Sequence, residues 1–190
     1  MVHLVGSAII NMKIAFVGCP GSGKSTIAEM VADTLGVKYH SEVFENNPYI
    51  LGDNPSELIT LWQIAEHNKA SKSADSGVFD TCVCNNISVY LSKEQRNRLK
   101  FLSGKTVSSL LAEDFTYHKI FFLEASASTL KNRITKRARP SGFLEKELEL
   151  CDSRLQNTRE NKNIINRCCY TIDAEQSPTQ IVNQVLKNLV

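Results

Sequence analysis

Apolar residues follow two alternating regimes along the chain. Short, nearly continuous runs at 13–17, 37–40, 78–83, 119–123 and 168–172 predict five strands. Between them apolar positions recur every three or four residues, as in Ile27, Val31 and Leu35, or Leu58, Leu61, Trp62 and Ala65. Leu144, Leu148, Cys151 and Leu155 repeat the spacing, as do Ile181, Val182, Val185, Leu186 and Leu189. Each set shares one face of a helix. Strands alternating with helices predict an α/β fold built on a parallel sheet. Two helix starts are legible in Asn54-Pro55-Ser56-Glu57 and Ser177-Pro178-Thr179-Gln180, each a side-chain cap with proline at the first helical position. The stretch 126–140 follows a strand and predicts a helix that ends at Pro140.

Composition narrows this little. The 190 residues suit one domain, expected over 12–190, with residues 1–11 an extension ahead of the first strand. Translation could start at Met1 or Met12. A net charge of +2 gives no reason to expect a nucleic-acid partner, and no apolar run approaches the roughly 20 residues that would make a membrane span. The first residues lack the basic flank and cleavage site of an export signal, so the expected location is cytoplasmic. Six cysteines then read as reduced thiols. Cys82-x-Cys84 and Cys168-Cys169 lack zinc-site spacing and are expected as small buried apolar residues.

The strongest chemical signal runs from Gly18 to Ser25, GCPGSGKS, a full GxxxxGK[ST] match between a strand and a helix. This is a phosphate-binding loop, the P-loop. Its glycines let backbone N–H groups curl round a phosphate, and the helix N-terminus adds its dipole. Gly18, Gly21, Ser22, Gly23, Lys24, Ser25 and Thr26 are therefore the candidate ATP-binding residues. Lys24 would reach the β- and γ-phosphates and Ser25 would ligate Mg²⁺. The expected architecture is the P-loop NTPase fold, a five-stranded parallel sheet in the order 2-3-1-4-5, flanked by helices. Arg133 and Arg137 are four apart and Arg139 follows, spacing that suits the charge of a transferring phosphoryl group and predicts an arginine-rich lid over about 133–145. A solvated basic face is the alternative. Glu42, just past the second strand, is a candidate base for an acceptor hydroxyl; a solvated loop glutamate is the alternative there.

The run Glu42-Val43-Phe44-Glu45-Asn46-Asn47-Pro48-Tyr49-Ile50 resembles the glutamate-to-Asn-Pro segment of deoxynucleoside kinases, above all the bacterial deoxyadenosine and deoxyguanosine kinases. Asn54-Pro55, Leu61-Trp62-Gln63, Val78-Phe79-Asp80 and the arginines at 133, 137 and 139 continue the likeness in order, over about residues 12–139. The resemblance implies that Glu42 is the base and that Gln63 reads a nucleobase edge, with Trp62 near its face and Phe44 close by. It implies that Asp80 works with Ser25 on magnesium, and that a later acid of the motif has become Asn86 on the acceptor side. A homodimer is implied by the resemblance alone.

Departures cluster on the acceptor side. Thr81 stands where the family has an arginine, Gly52 where it has a tyrosine, Ala70 where it has a second arginine, and Gly142 where it has a glutamate. The expected activity is ATP- and Mg²⁺-dependent phosphoryl transfer to the 5′-hydroxyl of a nucleoside or deoxynucleoside. A nucleoside monophosphate kinase, another small-molecule P-loop kinase and a degenerate ATP-binding regulator stay open. A polynucleotide 5′-end kinase would need a basic stripe that the chain does not carry outside the lid.

Overall fold

The computed structural model describes residues 12–42, 46–49, 55–137 and 141–189, apart from the side chains of 115, 141–143 and 146. Five strands, β1 (Lys13–Val17), β2 (Tyr39–His40), β3 (Gly77–Phe79), β4 (Lys119–Glu124) and β5 (Tyr170–Asp173), form one sheet in the order β2-β3-β1-β4-β5. Every neighbouring pair is parallel, with Ala15 opposite Phe79 on one side and Ile120 on the other. All five carboxyl ends therefore open onto one edge.

Alternation along the strands sorts two cores. Ile14 and Phe16 of β1 and Phe121 and Leu123 of β4 face α1 (Lys24–Leu35) and α9 (Pro178–Lys187), where Ile27, Val31, Ile181 and Val185 meet them. Ala15, Val17, Ile120 and Phe122 face the other way, onto Leu130 and Ile134 of α6 (Ala127–Thr135), Cys151 of α7 (Ser141–Glu160) and Ile165 of α8 (Lys162–Cys168). This two-residue period with helices on both faces is what a buried parallel sheet requires. A third cluster joins α2 (Ser56–Ser73), α3 (Val83–Tyr90), α4 (Lys93–Ser103) and α5 (Val107–Leu111) through Ile64, Val83, Ile87, Leu99 and Leu110.

Several expected boundaries move. The second strand shrinks from 37–40 to its last two residues, and the third ends at Phe79, because Cys82 already takes the N-cap position of α3. The fifth begins at Tyr170, since Cys168 closes α8. The helix expected to run to Pro140 stops at Thr135, with a helix-ending hydrogen bond from Lys136 N to Asn132 O. Pro55 is the N-cap residue of α2 rather than its first helical residue, and Asn54 lies outside the described residues.

The largest correction concerns the face of α2. The apolar set Leu58, Leu61, Trp62 and Ala65 does not turn inward as a stripe: Ala65 is exposed and the others are half-buried. Glu57, Thr60, Gln63, Ile64, His67 and Ser71 are buried instead. Arg98 of α4 neutralises Glu57 at 2.8 Å, and Tyr117 Oη meets His67 Nε2 at 2.6 Å. The helix is turned by about one residue, or roughly 100°, and shows the protein a polar face.

The start of α3 is held from a distance. No side chain of its own caps it, yet Val83 N and Cys84 N donate to the two carboxylate oxygens of Asp114, at 3.0 and 2.6 Å. Asp114 is buried, and burial raises its carboxyl to about 6 against the pull of those two N–H groups. Asp114→Ala strands two buried donors and is expected to cost about 2–3 kcal/mol in urea unfolding. Asp114→Asn, which keeps one acceptor, should lose less than half of that.

Candidate active site

The carboxyl edge gathers the expected chemistry. Gly18 follows β1 directly, Asp80 follows β3, and Glu42 stands two residues past β2. The loop from Gly18 curls into α1, with Gly23 at the N-cap in a left-handed conformation (φ 95°) that opens the helix N-terminus towards the loop's hollow. Gly21 (φ 86°) meets α6 so closely that a β-carbon there would lie 2.9 Å from Leu130 O. Ser22 N closes the loop onto Cys19 O at 3.0 Å, and Lys24 Nζ donates to Gly18 O at 2.7 Å.

An unexpected side chain anchors this loop. Asn85 of α3 accepts from Gly18 N at 3.0 Å and donates from Nδ2 to Thr81 Oγ1 at 3.1 Å. Asn85 is fully buried. Thr81, a departure on the acceptor side, is therefore turned towards the loop's anchor. Cys19, the second loop residue, rests on Thr158 of α7 through a 3.4 Å sulfur–oxygen contact.

Lys24 is buried between two carboxylates. Burial pulls its ammonium below the usual range, and Glu42 and Asp80 oppose that pull. Asp80 takes a 2.7 Å hydrogen bond from Tyr39 Oη on Oδ2, while its Oδ1 is buried with no partner among the described residues. Burial, reinforced by Asp80, raises the Tyr39 hydroxyl, and Ser25 pulls it back. The orphaned Oδ1 of Asp80 is a donor atom of the kind Mg²⁺ takes.

Glu42 is partly buried and its Oε1 is sealed with no described partner. Burial raises its carboxyl to about 7; Lys24 and Arg154 pull it back down, and Asp80 pushes it further up. Further buried polar atoms lack a partner among the described residues: Gln63 Nε2 from α2 and both amide atoms of Asn86 from α3. Trp62, next to Gln63 in α2, is half-buried. Buried amides without partners are rare in folded proteins and mark a place where another molecule completes the bonding. Asn47 ties the wall to α2, donating to Ile59 O at 3.0 Å and accepting from Tyr49 N.

On the other side of the loop, Arg133 and Arg137 line a cleft of about 240 Å³ with Gly21, Ser22, Gly23 and Thr26. Arg133 donates to Ala174 O at 2.7 Å and to Ser22 O at 3.4 Å, so it braces the loop against the end of β5. Arg137 lies past the end of α6 and reaches the same cleft without sharing its helix. Phe44 and Arg139 lie outside the described residues.

Comparison with known proteins bears on the fold and the family. The AAA domain family model matches residues 14–151, from the first strand through the loop and well into α7. The chain belongs to the AAA domain family. Its P-loop fold is shared with the deoxyadenosine kinase of M. mycoides, solved with the products dCMP and a flexible dCDP bound: TM-score 0.71, 21% identity, 94% of this chain and 98% of that one. A gluconokinase from Sinorhizobium meliloti aligns with TM-score 0.59 at 20% identity, over 95% and 92% of the two chains. A shikimate kinase from Bacteroides thetaiotaomicron aligns with TM-score 0.60 at 13% identity, over 94% and 98%. No curated protein gives a significant sequence match. Among the described residues of this AAA domain protein no helix is long and apolar enough to cross a membrane.

Two measurements check the geometry. Asn85→Ala removes the partner of Gly18 N and should weaken ATP binding about tenfold by calorimetry. Glu42 holds a proton in the folded chain up to about pH 7 that the unfolded chain releases near its ordinary 4.5. Fold stability is therefore lost as pH rises from 4.5 through 7. Glu42→Gln should match wild type near pH 4.5 and exceed it by about 2–3 kcal/mol at pH 8 in denaturant titrations.

Proposed function

We propose that this chain is an ATP-dependent kinase of nucleosides or deoxynucleosides, acting on the 5′-hydroxyl, with residues 12–190 as one working unit. A small-molecule P-loop kinase is the coarser statement that its fold and family support. The finer reading is supported by one observation: Glu42, whose carboxyl is coupled to Lys24 of the phosphate loop, keeps a buried oxygen without a partner among the described residues, as do the side-chain amides of Gln63 and Asn86. A base and two amides are the groups that an acceptor hydroxyl and a nucleobase edge would engage.

In the reaction the acceptor hydroxyl gives its proton to Glu42 while its oxygen forms a bond to the γ-phosphorus. The bond from phosphorus to the β,γ-bridging oxygen breaks, and ADP leaves with that electron pair. Lys24 and the loop's N–H groups hold the β- and γ-phosphates, and Arg133, Arg137 and Arg139 take up charge on the transferred group as a lid over about 133–145. Ser25 and Asp80 would hold Mg²⁺, which when bound neutralises phosphate charge. Gln63 and Asn86 hydrogen-bond the base edge while Trp62 and Phe44 cover its face.

The test is a transfer screen with Mg-ATP and a panel of deoxynucleosides, ribonucleosides and their monophosphates, reading phosphorylated product. A labelled nucleoside monophosphate is the expected result; product from monophosphates alone moves the chain to the nucleotide kinases. Glu42→Gln should keep ATP binding and lower turnover at least about tenfold. The wild-type kcat/KM for the acceptor should fall as pH drops below about 7, where Glu42 takes up its proton. A flat profile across that range would remove Glu42 from the role of base.

A further inference from the structure

Strand register brings a tyrosine to the acidic end of β3. Tyr39 pairs with Val78 and His40 with Phe79, so Asp80 lies two positions beyond the partner of Tyr39. Side chains alternate across a sheet, which sets Val78 and Asp80 to one face and Phe79 to the other. Val78 and the Tyr39 ring pack on the α1 side, and Phe79 on the opposite side. Tyr39 and Asp80 therefore share the face that α1, beginning at Lys24 and Ser25, covers. Their side chains meet there: Tyr39 Oη donates to Asp80 Oδ2 at 2.7 Å.

This bond divides the two oxygens of the carboxylate. Oδ2 is taken by a short, charge-assisted hydrogen bond that limits rotation of the carboxyl plane. Burial and the neighbouring carboxylate keep the proton on the Tyr39 oxygen, so the phenol stays the donor. Oδ1 is buried without a partner among the described residues. A buried anionic oxygen left without a donor or cation is costly. Asp80 is thus held on one side and open on the other.

We propose that Tyr39 is a positioning residue of the magnesium site, occupying Oδ2 of Asp80 so that Oδ1 is the oxygen offered to the ion. This role rests on the kinase reading in which Ser25 and Asp80 hold Mg²⁺. A ligand carboxylate already held by another hydrogen bond gives up less freedom when a cation binds, and such outer partners set metal affinity by about ten- to a hundredfold. Tyr39 acts through Asp80 alone. Phenylalanine in its place keeps the ring that packs beside Val78 and removes only the hydroxyl.

The test compares wild type, Tyr39→Phe, Asp80→Asn and the double variant. Calorimetry measures the Kd of the β,γ-methylene analogue of ATP in EDTA and across a Mg²⁺ titration, and transfer assays titrate Mg²⁺ in parallel. Tyr39→Phe is expected to keep the Kd in EDTA within about twofold and to need about tenfold more Mg²⁺ for the same gain in affinity. Excess Mg²⁺ should restore its turnover. The double variant should lose no more than Asp80→Asn alone, because the hydroxyl has no other route to the ion. A wild-type Mg²⁺ requirement in Tyr39→Phe overturns the inference. So does affinity that falls equally in EDTA and in Mg²⁺, which would make Tyr39 a support of the fold. Losses that add in the double variant also overturn it, since Tyr39 would then act apart from Asp80. Asp80→Asn with a wild-type Mg²⁺ requirement overturns the placing of the metal on Asp80 and this inference with it; a raised requirement in Asp80→Asn with none in Tyr39→Phe overturns the inference alone. The calorimetric comparison needs no acceptor, so failure to phosphorylate any nucleoside removes the nucleoside reading and leaves the Tyr39 comparison decisive.

Discussion

One buried cation organises the carboxyl edge of the sheet. Lys24 is sunk at the start of α1, and a buried ammonium is tolerated only with anions and hydrogen-bond acceptors around it. Gly18 O meets it directly, and the carboxylates of Glu42 and Asp80 stand near enough to oppose its loss of charge. Those two carboxylates are in turn held by their strands, one residue past β3 and two past β2. The parallel order β2-β3-β1 is thus what sets three charges into one small volume.

Around that centre the structure divides its work between the two faces of the sheet. The α1 and α9 side is apolar and closely filled by Ile27, Val31, Ile181 and Val185, and it carries the hydrophobic load. The opposite side carries the polar machinery, because α3 presents Asn85 to the loop and, from the adjacent position, the buried amide of Asn86, unpartnered among the described residues. Asp114 fixes the start of that helix, so a residue beyond α5 governs where both asparagines point. Mechanical support and chemical presentation meet in one short helix.

The sheet, its order and the loop are legible in the chain because each depends on local pattern: strand period, glycine spacing, and a lysine at a set place. Glu42 is legible for a related reason, lying just past the second predicted strand, whereas Asp80 falls inside the predicted run 78–83 and is reached only through the family resemblance. Asn85 and Tyr39 escape such reading, because their meaning comes from partners 67 and 41 residues away. The face of α2 is misjudged for the opposite reason. Periodicity finds the apolar side of a helix and assumes that side turns inward, whereas here the polar side packs on the protein through Glu57 and His67.

That polar side of α2 bears on how such a protein can change. Gln63 and its buried neighbours Thr60 and Ser71 contribute little to apolar burial, while the cores on either face of the sheet are assembled without them. Substitutions along this strip leave both of those cores their volume, whereas the phosphate loop, braced against α6, α3 and α7, admits almost no revision.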